Sequence, residues 1–304
     1  MKNEEYLIKK ICWYYYFENY TQKQIAELLN ISRFKVIGYL QQAKDLSIIS
    51  FNLNLNEIDI ELESKIRNKY NLTDVIIVPF DSEKNSTQTL NQSIAKAAAL
   101  YLNTFINNTN SYNFNIGYGE TMNFMINYLA QISKHRLNLV SLTGGVANYL
   151  PNSADVFNAN LSLIPSPFIL SNKNVKEGLL LDKSIIDILN LIPYSDASII
   201  GIGSLNNNSS LYNQGLLSSN NIKLLKMKGA VGDILGHFID KDGMLIETEL
   251  DSNLMSTDLS TLQSLNNVIA VAGGYNKVES IIASLKGRYV DILVTDISTA
   301  KKLV

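Results

Sequence analysis

From about Asn71 onward, short apolar runs alternate with stretches whose apolar residues recur at helical spacing. The strand-length runs are Val75–Val78, Phe114–Gly117, Leu139–Leu142, Ala197–Ile202, Ile234–Ile239, Val268–Val271 and Ile292–Thr295. Helical patterns lie between most of them, at Leu90–Leu102, Met122–Ile132, Ser184–Asn190 and Val278–Leu285. Strands covered on both faces read as nearly continuous apolar runs, and parallel strands need helical crossovers. The alternation therefore predicts an α/β fold with a mainly parallel sheet between helices.

Residues 4–50 lack this alternation and have the pattern of helices, the first around Glu4–Glu18. Thr21 is a typical N-cap, and Gln24 three positions later completes a capping box. Asn30 tolerates the left-handed conformation that ends helices, and Ser32 can cap the next helix. The predicted inward faces are Ile25, Ala26, Leu28 and Leu29 in one helix and Val36, Ile37, Leu40 and Ala43 in the other.

These two short helices have the pattern of a helix-turn-helix, which needs a small residue where its helices cross, a tight turn and a polar outer face. Ala26 is the small residue, and Leu29–Ser32 is the turn. The side chains predicted to face DNA are Thr21, Gln22, Lys23, Ser32, Arg33, Phe34, Lys35 and Tyr39. The alternative is a helical hairpin in a protein-interaction domain. Residues 1–50 carry seven basic and five acidic side chains, so the charge signal is weak.

The 304 residues suit a small domain followed by a larger one. We predict a helix-turn-helix domain over 1–56, which includes a short strand at Ser47–Leu55. A charged connector helix is predicted over 57–70, with Ile58, Leu62 and Ile66 on one face as a candidate dimerisation surface. Residues 71–304 form the predicted α/β domain.

The charge and the cysteine content limit the classes of function that this chain can have. The formal net charge is -2, so any nucleic-acid surface must be local. The single cysteine, Cys12, excludes an internal disulfide framework and fits a reducing cytoplasm. We find neither a signal peptide nor an apolar run of about 18 residues, and therefore expect a cytoplasmic protein.

Glycines follow several of the predicted strands, in Gly117–Thr121, Leu142–Gly145, Gly201–Ser204 and Ala272–Gly274. Ligands of open α/β sheets bind beyond the carboxyl ends of the strands, where glycine lets backbone N–H groups approach an anion. Thr121 and Thr143 can add hydroxyl donors, and Lys277 can add a positive charge. These features predict a ligand crevice. The loop GYGET is not the GxGxxG fingerprint, so no dinucleotide is expected.

The sequence offers little catalytic machinery. The histidines are His135, predicted in a polar surface turn, and His237, for which a structural role is favoured over ligand contact. Asp296 either presents a carboxylate at a strand end or caps the helix that starts at Ile297. We find no metal-ligand cluster, Cys/His pair or nucleophile elbow, so neither a cofactor, a metal nor catalysis is predicted. A helix-turn-helix joined to a ligand crevice indicates a sensor.

Several motifs together resemble the SorC/DeoR-type sugar-binding transcriptional regulators of bacteria. Tyr14-Tyr15 followed by TQKQIAELLNISRFKVIGYL resembles the family's N-terminal run. GAVGDILGHFIDKDG, at Gly229–Gly243, and the closing block Val268–Val304 resemble its C-terminal segments. With GYGET and LTGG between them, the resemblance covers almost the whole chain through the order and spacing of its motifs.

The resemblance implies a helix-turn-helix domain followed by an α/β effector domain similar to sugar-phosphate isomerase and deaminase-like folds. It also implies a phosphorylated sugar or relative as effector, operator DNA as partner, and a homodimer or homotetramer. The residues that the resemblance places at the effector are Gly117, Tyr118, Gly119, Glu120, Thr121, Thr143, Gly144, Gly145, Asp240 and Lys277. The rival function is a sugar-phosphate isomerase or deaminase with a helical oligomerisation arm.

Two positions depart from the family pattern. The first glycine loop contains Tyr118 and Glu120 where the family commonly has Trp and a small or basic residue. An acid beside a phosphate-binding loop repels the anion unless it points away. Gly38 stands where the family often has a basic or polar residue, and glycine inside a helix costs about 1 kcal/mol relative to alanine.

Overall fold

The computed structural model describes residues 2–46, 48–49, 60–80, 86–145, 158–206 and 209–304. The chain divides into two compact units, Met1–Asn54 and Leu55–Val304, and each is described by itself. The predicted strand Ser47–Leu55 lies almost entirely outside the described residues; Ile48 and Ile49 form a bend. None of the helices described is long and apolar enough to cross a membrane.

The helices described in the first unit are α1 (Lys2–Tyr16), α2 (Gln22–Leu29) and α3 (Arg33–Asp45). The predicted local signals are confirmed. Thr21 caps α2 in a capping box with Gln24, and Asn30 ends that helix in the left-handed conformation with φ of 51°. The Ser32 side chain accepts a hydrogen bond from the Lys35 backbone N–H and caps α3.

Helices α2 and α3 bury fewer residues in the core of the helical unit than the predicted inward faces. Its buried residues are Ile8, Ile11, Cys12, Ile25, Ala26, Val36, Leu40 and Ala43. The prediction was wrong for Leu28 and Ile37, which are 53% and 41% exposed. Tyr39, which was predicted to face outward, is half-buried and packs partly against this core. Because the buried positions of α3 recur at four- and three-residue steps, Ile37 lies off the buried stripe.

The second unit alternates helices and strands. Its strands are β1 (Asp74–Val78), β2 (Asn113–Ile116), β3 (Leu137–Ser141), β4 (Ala159–Ser162), β5 (Ala197–Ile200), β6 (Gly203–Ser204), β7 (Ala230–Ile234), β8 (His237–Asp240), β9 (Val268–Val271) and β10 (Ile292–Asp296). Its helices are α4 (Ile60–Tyr70), α5 (Thr87–Thr109), α6 (Glu120–Ile132), α7 (Lys173–Leu179), α8 (Lys183–Leu189), α9 (Ser210–Asn213), α10 (Ser219–Met227), α11 (Glu249–Asn253), α12 (Leu259–Ser264), α13 (Val278–Lys286) and α14 (Ile297–Ala300).

Seven strands form one sheet in the order β1-β10-β9-β5-β2-β3-β4, and all its described pairs are parallel. Alternate residues of a strand enter opposite cores: Ile292 and Val294 pack in one core cluster and Leu293 in the other. Helices α5 and α6 cover the first face, and α4, α12 and α13 cover the second. The predicted parallel sheet with helices on both faces is confirmed.

The predicted single strand Ile234–Ile239 is wrong. The segment is the turn of the β7–β8 hairpin, which pairs Ile234 with His237 in a separate antiparallel sheet with β6. Both turn residues, Leu235 and Gly236, have positive φ, at 54° and 88°. Two successive left-handed residues are typical of the tight turn that suits the twist of a hairpin. The apolar pattern concealed this turn because leucine rarely adopts that conformation.

Strand β4 was not predicted, because its sequence ANLS has no apolar run. It pairs with β3 at the sheet edge, where amide side chains bridge three strands. The Asn138 side chain donates to Asn113 Oδ1 at 2.9 Å, and Asn160 donates to Asn138 Oδ1 at 2.7 Å. These bonds between side chains on neighbouring strands stabilise a register that apolar periodicity does not reveal.

The connector helix has a different role from the one its apolar spacing suggested. Leu62 and Ile66 of α4 are buried in the second core of their own unit, where α4 packs against β1. Residues 57–59, and with them Ile58, lie outside the part that is described. The predicted dimerisation surface at Leu62 and Ile66 is therefore already covered within the chain.

Gly38 provides a test of the local energetics of α3. Its backbone is helical, it is exposed, and a Cβ atom there would meet nothing within 4 Å. Gly38→Ala should therefore raise the unfolding free energy of the helical unit by about 1 kcal/mol. Thermal unfolding followed by the fluorescence of Trp13, the only tryptophan of the chain, measures this change.

Asn30→Ala is the matched control, because alanine must adopt the same left-handed backbone without the help of an amide side chain. It should lower the midpoint of the same transition. A midpoint for Gly38→Ala at or below that of the parent would contradict the assignment of Gly38 to an unstrained helix interior.

Candidate functional site

A cavity of about 510 Å³ opens at the carboxyl ends of the central strands β2, β5 and β9. Three of the four predicted glycine loops contribute to its wall, through Tyr118–Thr121, Gly201–Ser204 and Gly273–Gly274. Parallel strands bring these ends to the same edge of the sheet, as expected for the ligand site of an open α/β fold. The volume is in the range of small-molecule sites, which run from about 300 to 1,000 Å³.

The first loop leads into helix α6 at the cavity wall. Gly119 has φ of 120°, which side chains rarely adopt, and it caps α6 without a side-chain hydrogen bond. The first-turn N–H groups of a helix have no partner within the helix and carry positive potential. Glu120 is the first residue of α6, so its carboxylate lies near that potential, and Thr121 is buried beside it. This wall therefore combines backbone donors with an acidic side chain.

A buried amide supports Glu120. Asn91, on α5, donates from Nδ2 to Glu120 Oε2 at 2.9 Å. Asn91 is only 6% exposed and lines the cavity. Its Oδ1 atom is buried and has no hydrogen-bond partner among the residues described.

The Gly273–Gly274 loop is held by Asp296 at the end of the neighbouring strand β10. The Gly274 N–H donates to Asp296 Oδ2 at 2.9 Å and to Thr299 Oγ1 at 2.7 Å. The Thr299 N–H donates to Asp296 Oδ1 at 3.0 Å, so Asp296 caps α14. Of the two roles considered for Asp296, the structure supports the helix cap. The same carboxylate fixes the loop that precedes Lys277.

Lys277 lies in the cavity wall at the start of α13, partly buried and close to two acids. Burial lowers the pKa of its ammonium group, and the negative charges of Asp233 and Glu120 oppose that shift. The Asp233 carboxylate, on β7, is buried and accepts hydrogen bonds from the Gly236 N–H at 3.1 Å and the Tyr118 hydroxyl at 3.3 Å.

Burial raises the pKa of Asp233, and the Gly236 N–H, Lys277 and Tyr118 oppose that shift. Strand β6 passes so close to this carboxylate that a Cβ on Gly203 would lie 1.8 Å from Asp233 Oδ1. Any larger residue at this point would displace the Asp233 carboxylate.

The predicted loop at Thr143, Gly144 and Gly145 is not brought to the cavity wall. The Gly144 N–H donates to Met255 O and the Gly145 N–H to Ser166 O, both at 2.8 Å. A Cβ on Gly144 would lie 2.5 Å from Pro167 O. The N–H groups of Gly144 and Gly145 therefore already have backbone partners, and Gly144 permits close packing against Pro167.

Gly117 and Asp240 are likewise outside the cavity wall. The Gly117 N–H donates to Ile199 O at 2.7 Å, which continues the pairing of β2 and β5. Asp240 Oδ1 accepts the backbone N–H groups of Asp242 and Met244, each at 2.9 Å, and so closes the turn after β8. Within this hairpin the acid that lines the cavity is Asp233, which was not among the predicted site residues.

His237 also has a structural environment. It is buried, with Nδ1 2.7 Å from Asp251 Oδ1 and Nε2 3.1 Å from Thr257 O. Both ring nitrogens therefore have partners within the protein, as the favoured structural role requires. No group of three or more His, Cys, Asp or Glu side chains suited to a metal ion occurs within the described ranges.

A second candidate surface lies on the helical unit at the start of α3. Arg33, Phe34 and Lys35 are exposed, Phe34 by 87%. Arg33 Nε and Nη2 both lie 3.4 Å from Gln22 Oε1, which connects the starts of α2 and α3. The hydroxyl oxygens of Thr21 and Ser32 accept backbone N–H bonds as caps. These two residues orient the helices, while Gln22, Arg33, Phe34 and Lys35 form the outward face.

Similarity to known proteins agrees with this architecture. Residues 56–304 match the family described as "Putative sugar-binding domain". The chain is 30% identical to the transcriptional regulator LsrR of Enterobacter sp. (strain 638) over 307 aligned positions, covering 99% of this chain and 93% of that protein. Its identity to LsrR of Escherichia coli (strain K12) is also 30%, with 99% and 95% covered.

Solved structures show the same fold. The full-length sorbitol operon regulator SorC from Klebsiella pneumoniae aligns with a TM-score of 0.71 at 23% identity, covering 98% of this chain and 97% of that one. A DeoR family transcriptional regulator from Listeria monocytogenes aligns with a TM-score of 0.72 at 24% identity, covering 81% and 99%. The relatives are transcriptional regulators, and they give no support to the rival enzyme function. The chain belongs to the SorC/DeoR-type family of sugar-binding transcriptional regulators.

Proposed function

We propose that residues 1–56 bind operator DNA, that residues 57–70 connect the two parts, and that residues 71–304 bind a carbohydrate effector that controls operator binding. The observation that carries this proposal is the polar cavity at the ends of β2, β5 and β9, in a chain that also has a helix-turn-helix. The protein would act in the cytoplasm, where its operator is located.

The outward face of α3 supports the DNA-binding part. A recognition helix places its first residues against base edges in the major groove, and basic side chains there neutralise phosphates. Arg33 and Lys35 would supply charge, and the exposed Phe34 ring suits apolar contact with a thymine methyl group. Gln22 would contact DNA from the start of α2. Thr21 and Ser32 would act mainly through the caps that set the angle of entry.

The cavity supports the effector part. Backbone N–H groups at the start of α6, the Lys277 ammonium and several hydroxyl and amide side chains are donors and acceptors suited to a sugar. The family resemblance favours a phosphorylated sugar or a relative, and Lys277 would supply attraction for an anion. Tyr118, Gly119, Glu120, Thr121 and Lys277 would form the effector site, with Asp233 added to them.

Regulation requires that the effector bind one state of the protein more tightly than the other, because equal affinity shifts no equilibrium. We propose that these states are arrangements of a homodimer or homotetramer. Symmetric pairing of two helix-turn-helix units doubles the DNA contact and matches a two-fold operator.

Substitution of the basic residues on α3 tests the DNA surface. Arg33→Ala and Lys35→Ala should each weaken operator binding and, where the lost contact is to a phosphate, reduce the salt slope by about one ion. Where the side chain contacts a base, the binding free energy should fall by about 1–3 kcal/mol, and the size of this loss should depend on the base pair. Affinity for the chain's own upstream DNA at several salt concentrations measures both effects.

Lys44→Ala is the control, because Lys44 is exposed near the C-terminal end of the same helix. It should leave the affinity nearly unchanged. If both Arg33→Ala and Lys35→Ala bind the operator as the parent does, the surface that enters the DNA groove must lie elsewhere.

Lys277→Met tests the effector site, since methionine roughly keeps the length of the side chain and removes its charge. The variant should bind the effector about 1.5–3 kcal/mol less tightly, the range for a hydrogen bond to a charged group. Operator binding without effector should stay near the parent value. Calorimetry with a panel of sugars and sugar phosphates measures the first quantity, and a gel shift measures the second.

Lys286→Met removes a lysine from the other end of the same helix, where it pairs with Asp242 outside the cavity. It should bind the effector as the parent does. Equal effector affinity in Lys277→Met and the parent would remove Lys277 from the site.

Sedimentation tests the proposed assembly. The isolated protein at micromolar concentration should be a dimer or a dimer of dimers, because pairing does not depend on DNA in this proposal. A monomer under these conditions would contradict it.

A further inference from the structure

We infer that α3 enters the major groove with an outward row formed by Phe34, Gly38 and Gln41, and that Phe34 and Gly38 select operator DNA through the 5-methyl groups of thymine. This inference rests on the proposed operator binding by residues 1–56 and specifies which feature of the DNA is recognised. It makes Phe34 a specificity-determining residue and gives Gly38 a role outside the protein's own packing.

The first support is the geometry of α3. The side of this helix that faces the core carries Val36, Leu40 and Ala43. Phe34 and Gly38 each stand two residues from Val36, about half a turn of the helix, so they point away from the core. Phe34, Gly38 and Gln41 are all exposed, and their spacing of four and three residues places them in one row. A helix that lies in a groove presents such a row to the base edges.

The second support is the phenyl ring of Phe34, which is 87% exposed and gains little from burial within the protein. In the major groove the C5-methyl group of thymine is the apolar feature of the base edges, which otherwise present donors and acceptors. A phenyl ring offers no hydrogen bond to those polar groups, so contact with them would leave them unpaired. The ring therefore favours thymine over the other bases.

The third support is Gly38, one helical turn after Phe34. A Cβ atom at this position would meet nothing within 4 Å among the described residues, so packing within the protein does not call for glycine. Glycine also weakens a helix interior. What its missing side chain provides is space on the outer surface of α3, where the helix backbone can approach the base edges closely. That space accommodates a thymine methyl group next to the Phe34 ring.

The charges beside the outward row identify DNA as the molecule that covers it. The first turn of α3 contains no acid, and Arg33 and Lys35 flank Phe34 on its two sides. Arg33 extends toward α2, where its Nε and Nη2 atoms both lie 3.4 Å from Gln22 Oε1. An apolar row between two cations matches the major groove, in which base edges lie between two lines of phosphates. This charge complementarity favours DNA over a protein partner.

The experiment removes the thymine methyl groups without changing the base pairing. The chain's own upstream DNA is prepared in two forms, one with thymine and one with deoxyuridine at every thymine position. Fluorescence anisotropy measures the affinity of the full chain for each form at the same salt concentration. The parent should bind the thymine form about tenfold or more tightly, the effect of about one buried methyl group in each of two half-sites.

Phe34→Ala removes the ring that contacts the methyl groups. It should bind the thymine form about tenfold or more weakly than the parent, and its preference between the two forms should fall to about twofold or less. Leu28→Ala is the matched control, since Leu28 is also apolar and 53% exposed but lies on α2. It should keep the parent's preference. Circular dichroism checks that each variant is folded; if Phe34→Ala does not fold, the parent's preference alone decides.

Gly38→Leu distinguishes a role in the groove from a role in stability. Leucine favours a helix and would extend into open space, so the thermal midpoint should be at or above that of the parent. A side chain that fills the space against the bases should nevertheless weaken binding to the thymine form by about tenfold or more. Lys44→Leu places the same side chain at an exposed position near the end of α3, off the outward row, and should bind nearly as the parent does.

The outcomes separate the inference from the proposed function. A parent that binds both forms of the DNA equally would overturn the inference and leave operator binding intact. Parent-like affinity in Gly38→Leu, or an unchanged preference in folded Phe34→Ala, would also overturn it. If Phe34→Ala keeps the preference but sediments as a smaller species than the parent, the ring contacts a second copy of the chain instead. If the parent binds neither form, the inference and the proposed operator binding both fail.

Discussion

The parallel pairing of β2, β5 and β9 is the constraint on which the candidate site depends. Because these strands run in the same direction at the centre of the sheet, the chain leaves all of them at one edge, at Gly117, Gly201 and Ala272. The helices that follow must then begin at that edge, which brings their free N–H groups to one cavity. The side chains add charge and shape to a site whose location is set by backbone hydrogen bonds.

The hairpin of β7 and β8 adds to that site a buried carboxylate that the parallel sheet alone does not supply. Its Leu235-Gly236 turn lies close to the ends of β2 and β5, and Asp233 reaches the cavity from the strand before the turn. This arrangement needs small residues on two sides. A Cβ on Gly203 would meet Asp233, and a Cβ on Gly232 would lie 2.3 Å from Ser280 Oγ on α13. Glycine here serves the close approach of neighbouring elements.

The sequence predicts the features that are encoded locally. The caps at Thr21 and Ser32 and the parallel strands follow from short-range hydrogen bonding and apolar runs, and they agree with the structure. The hairpin turn was missed because Leu235 is held left-handed by its surroundings, which sequence periodicity cannot show. Of the glycine loops, the one at Thr143–Gly145 does not line the cavity, and glycines needed for packing and glycines at a ligand site look alike in sequence. Asp233 and Asp240 lie in the same motif, and only the pairing of β7 with β6 distinguishes which carboxylate reaches the cavity.

Several unfavourable features of the α/β unit surround this cavity. Burial raises the pKa of Asp233 and lowers that of Lys277, Asn91 Oδ1 has no donor among the described residues, and Leu235 has a left-handed backbone. Each of these costs folding free energy, and such conflicts between local preference and global fold are expected where function requires them. A ligand would offset part of this cost only in the state that binds it. In the proposed function the stability of the cavity would depend on occupancy, and a difference in occupancy between two states of the protein is the thermodynamic requirement for an effector-controlled regulator.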